Sequence, residues 1–201
     1  MSGTYPATPA FEAVNFKINT PSIISETLVG KTRRVGSGVS YYTFSAKYSN
    51  ITAFDFGPII GFQAAQLGQL DNFSIVIPEL SYSKSTNPPS TTPATSAALT
   101  IGQNSVTLSN CGASKTVLNA GDFFKFANHT KVYMAVQDCT SSAGGTATLT
   151  FSCPVVAAVP SSTNLTITAV PFNVILDNEV QEYSVGYGGI STMTIDFREV
   201  W

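Results

Sequence analysis

The order of hydrophobic and polar residues predicts a chain built mainly from β-strands. The clearest alternation is in "GVSYYTFSAKYS", where every second residue is aromatic or small and the residues between them are polar. Such a period of two is typical of a strand with one packed face and one wetter face. The packed face is Tyr42, Phe44, Ala46 and Tyr48. Before Phe11 the chain is small and Pro-rich, so residues 1–10 are predicted to be an N-terminal arm.

One segment, "DFGPIIGFQAAQLGQLDN", has the spacing of a helix. Asp55 is a suitable cap and Pro58 suits a first helical turn. Ile60, Ala64 and Leu67 recur at helical spacing and are predicted to form its apolar face.

The composition changes at "SYSKSTNPPSTTPATS", residues 81–96, which contains a Pro-Pro pair and almost no large apolar residues. This segment is predicted to be a linker or exposed loop. Compact strands then follow about every ten residues, which indicates a small antiparallel barrel or sandwich. Residues 81–163 are therefore interpreted as a β-rich insertion into an outer domain formed by residues 11–80 and 164–201.

The segment "TMTIDFREVW" is predicted to return from the insertion and complete the outer sheet begun at Phe11. Met193, Ile195 and Phe197 alternate with polar residues, so this set is expected to face the core. Trp201 is expected to anchor this closing strand against the first strands or against a neighbouring subunit.

Composition limits the kinds of molecule that the protein is expected to bind. Charged residues are 11% of the chain, the formal net charge is −2 and the pI is about 5.3, so no basic field exists to bind nucleic acid by counterion release. The densest basic run, Lys31, Arg33 and Arg34, is interpreted as a solvated strand end. A weakly charged, Thr-rich surface is poor at keeping monomers apart, which favours assembly.

The sequence also predicts where the protein is made and the state of its cysteines. "MSGTYPATPAFEAV" has neither a cationic start nor an apolar core, so no signal peptide is expected, and synthesis in a cytosol is. No apolar stretch is long enough to cross a bilayer as a helix. Cys111, Cys139 and Cys153 are predicted to be reduced and mostly buried, with Cys139 and Cys153 flanking a hairpin that turns near "SSAGG".

No catalytic, cofactor or metal site is predicted. "LVGKT" lacks the first glycine of a phosphate-binding loop and is followed by strand rather than helix. His129 is the only histidine and is predicted to lie exposed in a hairpin turn, which disfavours both a catalytic triad and a zinc site. Asp177, Glu179 and Glu182 cluster near a turn, where acidic residues are normally just solvated.

Three stretches in this order resemble the distal tail and tail-tip ring proteins of tailed bacteriophages. They are "FQAAQLGQLDNFSI", "VLNAGDFFKFANHTKVYMAVQDCTSSAGGTATLTFSCPV" and the final "STMTIDFREVW". The resemblance covers about residues 11–201. It implies a tail-tube-like β-sandwich with one flanking helix, carrying an inserted small antiparallel β-barrel.

The resemblance also implies a function. Proteins of this family are structural virion proteins that form rings, commonly homohexamers, around the DNA channel and link the tail tube to hub and fibre proteins. This chain is then expected in the virion tail, assembled in the host cytoplasm, without catalysis, cofactor or membrane. Asp177 and Glu179 are candidates to face the lumen, where a weakly negative wall lets DNA pass without sticking.

The alternative is a β-sandwich module of a virion that binds a receptor or a carbohydrate. Its sugar-stacking residues would be Tyr41, Tyr42, Tyr48 or Tyr187. Such a platform needs exposed rings, whereas these residues alternate as core and sheet faces do.

Overall fold

A computed structural model describes residues 3–28, 30–36, 38–186 and 189–201. It contains one helix and sixteen strands within these ranges. The elements in chain order are β1 (Ala13–Asn19), β2 (Ser22–Glu26), β3 (Thr32–Gly36), β4 (Tyr41–Thr52), α1 (Ala53–Ala65), β5 (Phe73–Ile75), β6 (Ala94–Thr95), β7 (Ser105–Ser109), β8 (Thr116–Leu118), β9 (Phe123–Phe126), β10 (Val132–Met134), β11 (Cys139–Thr140), β12 (Ala147–Thr150), β13 (Leu165–Thr166), β14 (Phe172–Leu176), β15 (Tyr183–Val185) and β16 (Ile190–Glu199).

The prediction of a mainly β fold with one helix is confirmed. The chain divides into two compact units. The first unit consists of Met1–Asn19, Tyr41–Val76 and Phe172–Trp201, and the second of Thr20–Ser40 and Ile77–Pro171. The second unit therefore also takes in the segment between β1 and β4, which the sequence pattern assigned to the outer domain.

The first unit is organised by a six-stranded sheet in the order β1-β4-β16-β14-β5, with β15 also paired to β16. All of these strand pairs are antiparallel. In its centre Phe44 lies opposite Phe197, and Ala46 opposite Ile195. The predicted alternation holds here, since Tyr42, Phe44, Ala46 and Tyr48 are all buried. Within this unit the described strands belong to one hydrogen-bonded sheet.

Two local irregularities shape this sheet. Asn50 adopts a positive φ of 56° where the register between β4 and β16 shifts, a bulge conformation that Asn tolerates better than most residues. On the other side of β16, β14 and β15 run in series, separated by residues 177–182. This excursion interrupts what would otherwise be one long strand.

The N-terminal segment, predicted to be an arm, packs against the sheet through Thr4 and Tyr5. The backbone N–H of Tyr5 donates to the carbonyl of Ser74 at 2.8 Å, and Thr4 forms a parallel bridge with Ser74 on β5. The Tyr5 ring is 4% exposed and lies edge-on to Phe197 at 5.4 Å between centroids. The hydroxyl of Tyr48 donates to that of Tyr5 at 3.1 Å, and burial raises the pKa of both phenols. A single buried aromatic residue thus orders a segment that looks like a tail.

Helix α1 begins earlier than predicted, and its core face differs. Thr52, not Asp55, is the N-cap: its hydroxyl accepts from the Asp55 N–H and donates to the Asp55 carboxylate. Pro58 consequently lies inside the helix. The buried positions are Phe56, Ile59 and Gln63 rather than the predicted set. Leu67 lies beyond the helix and is 68% exposed.

The second unit contains several small sheets around one core. The sheets are β10-β9-β13, β11-β8 and β12-β7-β6, besides the β2-β3 hairpin. Its core includes Phe124, Phe126, Tyr133 and Phe151, all at most 1% exposed. The described strands do not close into the predicted barrel. The chain turns at "SSAGG" as predicted, with the Ser142 N–H donating to the Thr146 carbonyl at 2.7 Å. The flanking strands do not pair with each other, because β11 pairs with β8 and β12 pairs with β7.

The Pro/Ser/Thr-rich segment 81–96 is not a free linker, because its polar groups are bonded to the rest of the second unit. Asp122, 1% exposed, accepts from the Ser83 hydroxyl at 2.7 Å and from the Lys84 N–H. The Ser85 hydroxyl donates to the Thr116 carbonyl at 2.7 Å. Small hydroxyl side chains that read as linker composition here supply hydrogen bonds to the backbone and to a buried carboxylate.

We expect Tyr5→Ala to destabilise the protein by about 3–5 kcal/mol, the usual cost of emptying an aromatic site in a core. Tyr5→Phe is the matched control, because it keeps the ring and loses one hydroxyl contact, at about 1 kcal/mol. Removal of residues 1–8 should resemble Tyr5→Ala in denaturant unfolding. A truncated chain as stable as the full one would contradict this packing.

Candidate functional site

The predicted closing strand lies at the centre of the sheet in the first unit. Ile195 and Phe197 are fully buried, and the Phe197 ring stacks on Phe44 at 5.0 Å. Trp201 lies beyond β16 and is 49% exposed, so half of its surface faces outward. The strand therefore contributes its alternate residues to the core and leaves its last aromatic residue at the surface.

The β2-β3 hairpin is exposed along both of its strands. Every residue of both strands is exposed, including Ile23 at 73%, Ile24 at 65% and Val35 at 65%. Ile23 pairs with Val35, while Ile24 pairs with Arg34. Leu28 projects fully exposed from the turn. A two-stranded hairpin that buries no apolar face is marginally stable in water, so this ribbon has the character of a contact surface without its partner.

The basic run predicted to be solvated belongs to this hairpin. Lys31, Arg33 and Arg34 are exposed, and Glu26 is the hairpin's only carboxylate. The whole chain has a formal net charge of −2 and the hairpin contributes +2, so the rest of the chain carries −4. The hairpin is thus both the most apolar exposed element and the basic one.

The predicted lumen-facing carboxylates lie in the excursion between β14 and β15, and their environments differ. Asp177 is half-buried, and its backbone N–H donates to the Asp196 carbonyl at 2.9 Å. Asp196 is further held by hydrogen bonds from the Ser45 hydroxyl and the Asn178 amide. Glu179 is exposed, with its backbone beside Gly68. Asp177 therefore starts the excursion, and Glu179 presents its charge outward.

Below this excursion is a cavity of about 250 Å³ in the first unit. Its lining combines aliphatic side chains with amide, carboxylate and phenol groups. The lining residues are Ile60, Gln63, Ala64, Gly68, Leu176, Glu179, Gln181 and Tyr183. Ile60 and Ala64, predicted to face the core, instead line this cavity. The cavity lies between α1 and the stretch where residues 177–182 leave the sheet between β14 and β15.

The cavity also has an unsatisfied polar group. Gln63 is 5% exposed, and its side-chain amide nitrogen has no hydrogen-bond partner among the described residues. A buried donor without an acceptor costs about 1–3 kcal/mol, so an occupant that brings an acceptor gains affinity by satisfying it. Tyr183, 48% exposed, stands at the edge with its ring against Phe56. The sequence gives no signal for this group, because a glutamine in a helix ordinarily reads as a surface residue.

His129 lies in the turn between β9 and β10, as predicted, but it is half-buried rather than exposed. Its Nε2 is 2.8 Å from the Tyr133 hydroxyl, and its Nδ1 is 3.0 Å from the Asn128 side-chain oxygen. Burial, with a smaller contribution from the charges of Lys125 and Lys131, lowers the pKa of His129. These contacts are those of a packed structural histidine.

The prediction that all three cysteines are buried is confirmed, and none forms a disulfide. Burial and the neighbouring Cys111 raise the pKa of Cys139 to about 12, so at neutral pH it is a thiol rather than a reactive thiolate. Among the residues that the structure describes, no three His, Cys, Asp or Glu side chains are grouped to hold a metal ion. Nor does any helix in the described ranges have the length and apolar character needed to cross a membrane.

Those tyrosines of the sugar-binding alternative that the structure describes do not form an exposed platform. Tyr42 and Tyr48 are at most 1% exposed in the core of the first unit. Tyr41 is half-buried with the Arg198 guanidinium 4.8 Å from its ring centre. Tyr187 lies outside the described residues.

No protein-family model matches the chain, and no curated protein matches its sequence. The resemblance to phage tail proteins therefore stays a prediction.

We expect Phe197→Ala to lower the free energy of unfolding by about 3–5 kcal/mol, because it empties the centre of the sheet. Trp201→Ala should cost about 1 kcal/mol or less, as half-exposed positions usually do. Denaturant unfolding monitored by circular dichroism compares the two. Equal losses would show that the end of the chain is as tightly packed as the strand.

We expect the stability of the protein to fall as pH drops below about 6.5, the ordinary pKa of histidine. The unfolded chain then takes up a proton that the folded chain, with its lowered His129 pKa, does not bind. His129→Gln removes this contribution, so the variant should lose less stability than the wild type between about pH 7 and pH 5. Carboxylates titrate equally in both proteins, and identical pH profiles would contradict the assignment.

Proposed function

We propose that this chain is a structural virion protein that forms a ring at the distal end or tip of a bacteriophage tail. In this role it surrounds the DNA channel and links the tail tube to hub and fibre proteins. The observation that carries the self-assembly is the β2-β3 hairpin, whose Ile23, Ile24, Leu28 and Val35 are exposed without a covering partner. The virion setting is supported by the resemblance of the helix, insertion and final strand to tail proteins.

Physical properties of the chain favour assembly over solution chemistry. With 11% charged residues, the surface has little electrostatic repulsion to keep copies apart. A contact between two different surfaces of one chain repeats around an axis and closes a ring, and a six-fold ring is the proposed form. The sheet in the first unit is the proposed tail-tube-like framework.

The proposed channel wall is weakly acidic. Asp177 and Glu179 are the candidates for it, and DNA passing through would meet no dense cationic surface to bind. This part of the proposal requires no catalytic or cofactor-binding residue and no membrane. It also makes the contact with DNA non-specific.

The purified protein should form closed rings with a central channel in negative-stain electron microscopy. Its mass by light scattering should correspond to six copies. Gold-labelled antibodies on virions should mark the tail end. A monodisperse monomer at high concentration, with unlabelled tails, would overturn the proposal.

The hairpin variant Ile23→Ser/Val35→Ser should abolish ring formation and leave circular dichroism unchanged, since both side chains are already exposed in the monomer. Ile101→Ser is the matched control, because Ile101 is 67% exposed but lies outside the hairpin. Light scattering across a concentration series compares them. Rings in the hairpin variant would show that this ribbon does not join the copies.

A further inference from the structure

We propose that the tip of the β2-β3 hairpin of one copy docks into the cavity beside α1 of another copy, with the Leu28 side chain entering it. This inference rests on the proposed function, because it names the joint through which copies would assemble. It commits to a second copy of this chain as the occupant of the cavity.

The hairpin tip is built to present a side chain. Leu28 is fully exposed, on a turn closed by the Gly30 N–H donating to the Thr27 carbonyl at 2.8 Å. The Thr27 N–H donates to the Lys31 carbonyl at 3.0 Å, and the Thr27 hydroxyl is 3.2 Å from the same oxygen. These bonds hold Thr27, Gly30 and Lys31 together before binding, which reduces the conformational entropy that these residues lose on docking.

The cavity has an apolar wall and a hydrogen-bond donor that match the exposed leucine and the carbonyl oxygens of the hairpin tip. Ile60, Ala64 and Leu176 give it an aliphatic wall that would cover Leu28. The Gln63 amide nitrogen has no acceptor among the described residues, and the docked turn would bring backbone carbonyl oxygens to the cavity. Burial of the leucine and satisfaction of the amide act in the same direction.

Charge complementarity favours a second copy as the partner. The hairpin carries +2 and the rest of the chain −4. Glu179 lines the cavity, and Arg33 and Lys31 flank the hairpin tip. The inference therefore revises one detail of the proposed function: it moves Glu179 from the channel wall to the joint between copies and leaves Asp177 as the candidate for the wall.

Cross-linking tests the contact directly. Leu28→Cys protein and Ala64→Cys protein, carrying different tags, are mixed and oxidised, so that a mixed disulfide can form only between two molecules. The native cysteines are buried and do not compete. Ala65→Cys is the matched control, since Ala65 is exposed on the same helix but does not line the cavity.

We expect a mixed dimer with Ala64→Cys and little with Ala65→Cys. In a second measurement, Ala64→Trp fills the cavity from its exposed edge. It should raise the concentration for half-assembly by about tenfold, the change expected for losing one buried leucine side chain. Ala65→Trp should change it by less than about twofold.

A charge exchange tests the electrostatic part. Arg33→Glu and Glu179→Arg should each weaken assembly, and the double variant should recover most of it, because each joint again holds opposite charges. A channel-wall role for Glu179 predicts no such recovery.

The outcomes separate the two proposals. Rings that form normally with Ala64→Trp and give no Leu28–Ala64 disulfide would overturn the docking inference and leave the ring intact. Cross-links equal at positions 64 and 65 would overturn it as well. A protein that stays monomeric at every concentration would overturn the proposed function, and the docking inference with it.

Discussion

The pairing of β4 with β16 is the interaction on which the first unit depends. These are the two longest strands, and they come from segments about 150 residues apart in the chain. Their contact puts Phe44 against Phe197 and Tyr48 against Met193. Because the whole insertion separates the two strands in the sequence, bringing them together costs loop-closure entropy. Burial of their two apolar faces against each other must offset that cost.

The other elements of this unit take their places from that pair. β1 adds to β4, while β14 and β15 add to β16. α1 follows β4 directly, with Thr52 ending the strand and capping the helix. Tyr5 fits between β5 and Phe197, which extends the aromatic core to the N-terminal segment. The cavity beside α1 lies where the sheet is interrupted between β14 and β15.

The exposed surfaces complement this framework. An apolar, basic hairpin and a cavity with a carboxylate edge and an unsatisfied amide are both unfavourable in an isolated molecule in water. In the proposed docking, the hairpin of one copy covers the cavity of another. The proposed ring subunit is thus supported by these two local costs, together with a surface of low charge.

The sequence by itself determined which strands exist and which faces are apolar, because side-chain alternation is a local property. The alternation at Tyr42–Tyr48 and at Met193–Phe197 correctly identified the buried face. The composition change at residue 81 also indicated an insertion after the first strands.

Tertiary structure alone decided which surfaces cover those faces. Ile60 and Ala64 have the right spacing for a core face but line a cavity, because the Thr52 cap and the sheet set which side of α1 is packed. The ten-residue leader reads as a tail, yet Tyr5 is held by residues distant in the chain. Segment 81–96 reads as a linker because its composition is polar, whereas its order depends on Asp122 and Thr116 lying within hydrogen-bond reach. Periodicity reports what a segment must bury, and long-range packing decides what buries it.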